Sequence, residues 1–347
     1  MNTEARISAF TQLGSALRGL LDNSTSDAFV QQQAEGFDAA IGLAHVRNNW
    51  FIPEFSRAAI AAIGQSLEEA SIRKWLEPYG DALGANAAPK QVAIIMAGNI
   101  PLVGFHDLLC VLMSGHTALA KTSADDSVLI TFVIELLKKI EPGFAERIRI
   151  VEGKMEGMDA VIATGSNNTS RYFEHYFGKY PHIIRKNRTS VAVITGQESK
   201  EELEALGSDI FTYFGLGCRS VSKLYLPEDF KLDTLFEALY AHKHVIDNNK
   251  YGNNYDYNRA IWLMEREKFL ENGFFMLKES TDIASPVAAC YYERYTDANE
   301  VLDKLSANRE QIQCIVSQND VPFGQAQNPQ LWDYADGVDT MAWLGGL

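Results

Sequence analysis

The chain has 347 residues, 46% hydrophobic and 22% charged, a balance that excludes a disordered chain and suits a buried core. Its length allows two domains of ordinary size. Acidic side chains outnumber basic ones, for a net charge of −14. This excludes nucleic acid as a general partner, because phosphate binding needs clustered Lys and Arg.

No apolar stretch reaches the length that spans a bilayer, so no membrane insertion is expected. The start, Met1-Asn2-Thr3-Glu4-Ala5-Arg6, lacks the basic region and apolar core of a signal peptide, and a cytoplasmic location is the default expectation. The four cysteines, Cys110, Cys218, Cys290 and Cys314, form no CxxC pair. Neither a disulfide framework nor a zinc site is indicated, and no metal is expected.

To about Ala87 the chain reads as helices, with helical apolar spacing over 5–21, 55–69 and 70–77. Ala88-Pro89 breaks the pattern, and strands and helices then alternate, as in a parallel sheet with crossover helices. Gln91 to Ala97 is a buried strand. Gly98-Asn99-Ile100 turns the chain, and Pro101 suits the first position of a helix that stops near Gly115. Further strands are expected at 117–121, 147–151 and 159–163, with a helix capped by Ser123 or Asp125 between the first two. Thr164-Gly165-Ser166 leads into a helix ending near Phe177. A strand at 190–194 opens a second unit, and Ser199 with Glu202 makes a capping box.

Later helices are expected at 232–245, 259–270 and 298–309, and strands at 274–278, 287–292 and 311–317. The polar run Asn248 to Tyr255 reads as a surface or ligand-facing loop, and the tail after Val321 resists assignment.

Three cysteines sit in apolar runs and read as core. Cys218 does not. It lies in Phe214-Gly215-Leu216-Gly217-Cys218-Arg219-Ser220-Val221, with glycines before it and a strand after it. Glycines let backbone approach a substrate closely. A thiolate is the reactive form, favoured by a neighbouring cation such as Arg219. Cys218 is therefore the candidate nucleophile, against the plainer reading of a small buried hydrophobe.

Four pieces follow one another: Gly98-Asn99-Ile100-Pro101, Ala120-Lys121-Thr122-Ser123, Thr164-Gly165-Ser166, and Gly217-Cys218-Arg219. In this order they resemble the aldehyde dehydrogenase superfamily, over about residue 88 to the end. Ser285-Pro286-Val287 and Pro322-Phe323-Gly324 resemble two later motifs of that family. The runs Ala97 to Pro101 and Phe214 to Ser220 are most similar to LuxC-type fatty acyl-CoA reductases.

The resemblance implies an α/β fold of two doubly wound domains: a Rossmann-like cofactor domain with its helical N-terminal segment (1–188) and a catalytic domain (189–347). It implies NAD(P)H-dependent reduction of an acyl-CoA, or another acyl thioester, to an aldehyde through an acyl thioester on Cys218. Asn99 matches the amide donor of the oxyanion hole; its plainer reading is a turn residue. Lys121, with Thr122 beside it, matches the ribose contact; its plainer reading is a strand-end lysine in solvent. Gly165 and Ser166 match the pyrophosphate turn, and the plainer reading is a helix capped by Ser166.

Where many NAD-dependent members carry a ribose-binding Glu, this chain has Ala124, which admits NADPH, with NADH as the alternative. The family's second glycine after the pyrophosphate turn is not evident. The hydrolytic Glu of aldehyde dehydrogenases is replaced by Arg185, which disfavours water attack and fits exchange with CoA. The cluster Arg185-Lys186-Asn187-Arg188 reads as a solvated edge or as a contact for CoA phosphates. The alternatives are a semialdehyde or acyl-phosphate reductase, or a non-catalytic member acting as a binding subunit. The expected partners are a second copy, as a homodimer, or a protein that delivers the acyl group.

Overall fold

The computed structural model describes residues 1–22, 24–83 and 89–347. The break expected at Ala88 lies outside the described residues. The chain divides into two units, Met1–Lys186 with Gln330–Leu347, and Asn187–Pro329.

In the first unit, four helices precede the sheet: α1 (Thr3–Leu21), α2 (Ala28–Arg47), α3 (Pro53–Ser66) and α4 (Glu69–Leu76). Local chemistry sets their starts. The Asn2 carboxamide accepts from Ala5 N at 2.8 Å, Asp27 accepts from Phe29 N and Val30 N, and Pro53 opens α3. There follow β1 (Gln91–Ile95), α5 (Phe105–Met113), β2 (Thr117–Lys121), α6 (Ser127–Ile140), β3 (Ile148–Ile150), β4 (Ala160–Thr164), α7 (Asn167–Phe177) and β5 (His182–Arg185).

The strands form one parallel sheet in the order β3-β2-β1-β4-β5. Alternate side chains serve opposite faces. Val92, Ile94, Ala118 and Ile162 enter the large core with the N-terminal helices, while Ala93, Leu119, Val161 and Ala163 enter a smaller one. The sheet order reverses between β1 and β4. In open α/β sheets, ligands bind beyond the carboxyl ends of the strands at such a point.

The second unit contains β6 (Thr189–Val193), α8 (Lys200–Phe211), β7 (Val221–Pro227), α9 (Leu232–Leu239), α10 (Asn249–Met264), β8 (Leu270–Glu271), β9 (Met276–Glu279), β10 (Ala289–Tyr295), α11 (Ala298–Ala307) and β11 (Ile312–Val316). Its sheet runs β11-β6-β7-β10-β9-β8, parallel except for β8 against β9. The chain ends in α12 (Thr340–Gly345), which packs with the first unit.

Three local expectations are corrected. The helix expected at Pro101 begins at Phe105, because Leu102 adopts a left-handed backbone (φ 59°). The run Asn248 to Tyr255 is helix, not loop. The Asn248 side chain caps α10 by accepting from Lys250 N and Tyr251 N, and Tyr251 and Tyr255 bury one face. That helix ends at Met264, so Leu270 falls in a short strand.

The tail also departs from the expected 189–347 domain. Met341 and Leu344 are fully buried in the core of the first unit, His116 bonds the Leu344 carbonyl at 3.0 Å, and the Trp75 indole N–H donates to the Tyr334 hydroxyl at 2.7 Å. Among the described residues, no helix is long and apolar enough to cross a membrane.

Candidate active site

In the first unit the structure gathers Asn99, Lys121, Thr122, Gly165 and Ser166 at the carboxyl ends of β1, β2 and β4, on both sides of the point where the sheet order reverses. Asn99 lies in the exposed turn after β1. Two contacts shape that turn. The Asp126 carboxylate, at the start of α6, accepts from Leu102 N at 2.6 Å, and so holds the left-handed residue that delays α5. Gly98 presses on the segment after β2, where a Cβ would lie 2.4 Å from Ser123 Oγ. Only glycine lets the two turns meet this closely.

Asp126 is buried and its second oxygen has no hydrogen-bond partner among the described residues; burial pushes its pKa well above the ordinary carboxylate range, against the pull of the Leu102 N–H.

Lys121 ends β2 and its ammonium donates to the Gly153 carbonyl at 2.8 Å. Ser123 caps a single 3₁₀ turn by accepting from Asp125 N, ahead of α6. Ser166 caps α7, its hydroxyl accepting from Thr169 N at 3.2 Å. The capping reading of Ser166 thus holds in the geometry. A helix N-terminus behind this turn still offers partial positive charge to an anion. A lysine, a threonine and a helix N-terminus beside the reversal point suit a dinucleotide, and these residues would hold it.

The basic cluster is not one solvated edge. Arg185 ends β5 and is 4% exposed; its guanidinium pairs with Asp107 of α5 and donates to Thr340 Oγ1 at 3.0 Å. Burial works against that charge, but Asp107 outweighs it and the Arg185 pKa is raised. Arg188 belongs to the other unit and donates to the Ile312 carbonyl. His106 is packing: it is half-buried, bonds the Leu331 carbonyl at 2.9 Å, and desolvation lowers its pKa.

In the second unit, Cys218 stands on a loop of unusual backbone. After α8 the residues Tyr213, Phe214 and Gly215 are all left-handed (φ 54°, 56° and 75°). Left-handed Tyr and Phe cost free energy, and such strain collects at functional sites. The turn reverses the chain into Gly217-Cys218. Ser220 N donates to the Gly217 carbonyl, and Gly217 N donates to Ser220 Oγ. Ser190 of β6 donates to the Cys218 carbonyl at 3.0 Å, fixing the cysteine backbone against the sheet. Cys218 itself is half-buried, as is Cys314, whereas Cys110 and Cys290 are buried.

Sequence reasoning missed the supports of this loop. Asp209, buried in α8, accepts from Gly324 N at 2.7 Å and Ala326 N at 2.8 Å, tying down the Pro322-Phe323-Gly324 segment. Burial pushes its pKa up to about 6, with the two N–H groups pulling the other way. From that segment, the Ala326 carbonyl accepts from Arg219 Nε and the Gln327 amide reaches Ser220 Oγ. Only structure brings Asp209 and Gln327 to the cysteine loop, although the Asp two residues before the helix end was a visible signal. Among the described residues, no group of three His, Cys, Asp or Glu could hold a metal ion.

The architecture matches solved aldehyde dehydrogenases. Aldehyde dehydrogenase 21 of Physcomitrella patens, solved with succinate, superposes with a TM-score of 0.68 at 12% identity, covering 100% of this chain and 84% of that one. An aldehyde dehydrogenase of Bacillus cereus, solved with NAD+, gives 0.61 at 13% identity, covering 92% and 72%. The chain therefore has the aldehyde dehydrogenase fold.

Among sequence relatives, a long-chain acyl-protein thioester reductase of Photorhabdus laumondii is 23% identical over 257 residues, 65% of this chain and 53% of that protein. The chain spans about half the length of the thioester reductases it matches. The match to the acyl-CoA reductase (LuxC) family runs over residues 52–247, more than half of the chain, and takes in the Asn99 turn and the Cys218 loop: the chain belongs to that family.

Proposed function

We propose that this protein is an aldehyde-forming acyl-thioester reductase, with acyl-CoA as the donor and NADPH as the reductant, NADH being the alternative. The observation that carries the reading is the Cys218 loop. A half-buried thiol sits on a strained, doubly anchored turn, in a chain of the acyl-CoA reductase (LuxC) family.

The Cys218 thiolate attacks the acyl carbon. A C–S bond to Cys218 forms, the donor's C–S bond breaks, and the donor leaves as a thiolate that takes up a proton. The Cys218 backbone N–H and the Asn99 amide are the proposed donors to the carbonyl oxygen as it becomes negative. Lys121, Thr122, Gly165 and Ser166 are the residues that would hold the dinucleotide. When bound, a reduced nicotinamide would supply the hydride that reduces the acyl carbon. Cys218 would then release the aldehyde by breaking its C–S bond as the carbonyl re-forms, which restores the thiolate.

Arg185, where hydrolytic relatives carry a Glu, cannot serve as a base, because a guanidinium stays protonated. This supports transfer over hydrolysis. The N-terminal 1–186 portion is the proposed cofactor domain, and the unit with Cys218 the proposed catalytic one.

The test is aldehyde formation, captured as a hydrazone, from acyl-CoA and NADPH, with Cys218→Ser alongside. The reading expects one aldehyde per NADPH oxidised and no product from the variant. Product from Cys218→Ser at the native rate would overturn it.

A further inference from the structure

Beside the Cys218 loop, inside the second unit, lies a small pocket lined by Phe214, Gly215, Val221, Tyr251, Phe275 and Ala288. Gly215 and Val221 flank Cys218 by three residues on either side. Two of the wall residues, Phe214 and Ala288, have left-handed backbones that cost free energy for a side chain with a Cβ, the kind of strain that collects at ligand-contacting sites. The Tyr251 hydroxyl makes no hydrogen bond among the described residues, although the residue is 1% exposed. A buried hydroxyl without a protein partner is costly, so it calls for a partner from outside the chain, an ordered water or a ligand group.

Burial pushes the Tyr251 pKa upward, so the hydroxyl keeps its proton and can donate it. Ser285, also in the wall, directs its hydroxyl hydrogen to the Ala289 carbonyl at 2.7 Å, which leaves its oxygen an acceptor. The interior volume is about 20 Å³, enough for one small polar group of about the size of a water. The Phe214 and Tyr251 rings stand 5.8 Å apart in its wall, and a space of this size does not admit an alkyl chain.

We propose that this pocket receives an oxygen substituent, hydroxyl or carbonyl, carried on the acyl chain close to the thioester, and that Tyr251 is the residue that selects it. The preferred substrates are then oxygen-bearing acyl thioesters. This rests on the reductase reading and deepens it.

The test compares 2- and 3-hydroxybutyryl-CoA with butyryl-CoA on the full chain, native and Tyr251→Phe. A site built to bond a substrate oxygen discriminates strongly against losing the bond. The native protein should prefer at least one hydroxyacyl-CoA, and Tyr251→Phe should lower kcat/KM for it by about 10- to 100-fold. Butyryl-CoA, the internal control for folding, should change by less than about two-fold. Ser285→Ala should give the same split. Equal effects on substituted and plain chains, or no effect on either, would overturn the proposal while leaving the reductase reading intact. Absence of aldehyde from every thioester would overturn both.

Discussion

Replacing Arg185 by Met tests whether the cation at the end of β5 is structural. The substitution leaves the Asp107 carboxylate, 6% exposed, without its cation, and strips Thr340 Oγ1 of a donor. Removing one member of a buried pair costs about 3–5 kcal/mol. For a unit of this size each kcal/mol moves Tm by about 2–4 °C, so the expected fall is about 6–20 °C. The pair is itself imperfectly satisfied: Asp107 Oδ1 and Arg185 Nε have no hydrogen-bond partner among the described residues. The double change Arg185→Met with Asp107→Leu should therefore recover most of the loss, since an apolar replacement avoids burying either charge. Calorimetry on the native protein, both single variants and the double variant reads the cycle. Single variants within about 0.5 kcal/mol of native, or a double variant no better than the worse single, would refute the reasoning.

Three other predictions bear on the site. Asn99→Ala should lower the rate of aldehyde formation by about 10²–10³, with little change in thermal stability because the residue is exposed; an unchanged rate removes Asn99 from the oxyanion site. Asp209 has a folded-state pKa raised from 3.8 to about 6, so its contribution is fully present below about pH 4 and is lost as pH rises through about 6. Relative to Asp209→Asn, native stability should fall by about 3 kcal/mol over that window, read by hydrogen exchange in peptides covering 205–211 and 322–327; a slope of opposite sign would mean that the two N–H bonds outweigh burial. Gly98→Ala, whose Cβ would sit 2.4 Å from Ser123 Oγ, should destabilise by about 1–3 kcal/mol. Ser123→Gly should relieve it in thermal melts; no relief would place the clash elsewhere.

Much of the fold is legible because its strands are short apolar runs between turn residues. β1, β2, β4 and β6 are fully buried in their centres, and burial on both faces leaves an unmistakable Val, Ile and Ala pattern. Strand β5 escapes because it alternates and ends in a charge, and Arg185 reads as solvated until Asp107, 78 residues earlier, is seen to meet it. The first part of helix α10 escapes because Asn, Lys and Gly suggest a loop; the spacing of Tyr251, Tyr255 and Trp262 was the usable signal, since these are its buried residues. At the site, glycines around Cys218 and after β1 announce close backbone approach. What Asp126 and Asp209 hold cannot be read in sequence, because each carboxylate serves backbone N–H groups, and those bonds follow from tertiary placement.

The central claim is that Cys218 carries the acyl group. Intact mass spectrometry after brief exposure to acyl-CoAs, without nicotinamide and with Cys218→Ser alongside, tests it directly. The account predicts an acyl adduct on the native protein that maps to Cys218, disappears on adding NADPH, and is absent from the variant. An adduct that forms equally on Cys218→Ser, or none with any acyl-CoA or acyl-protein donor, would contradict it.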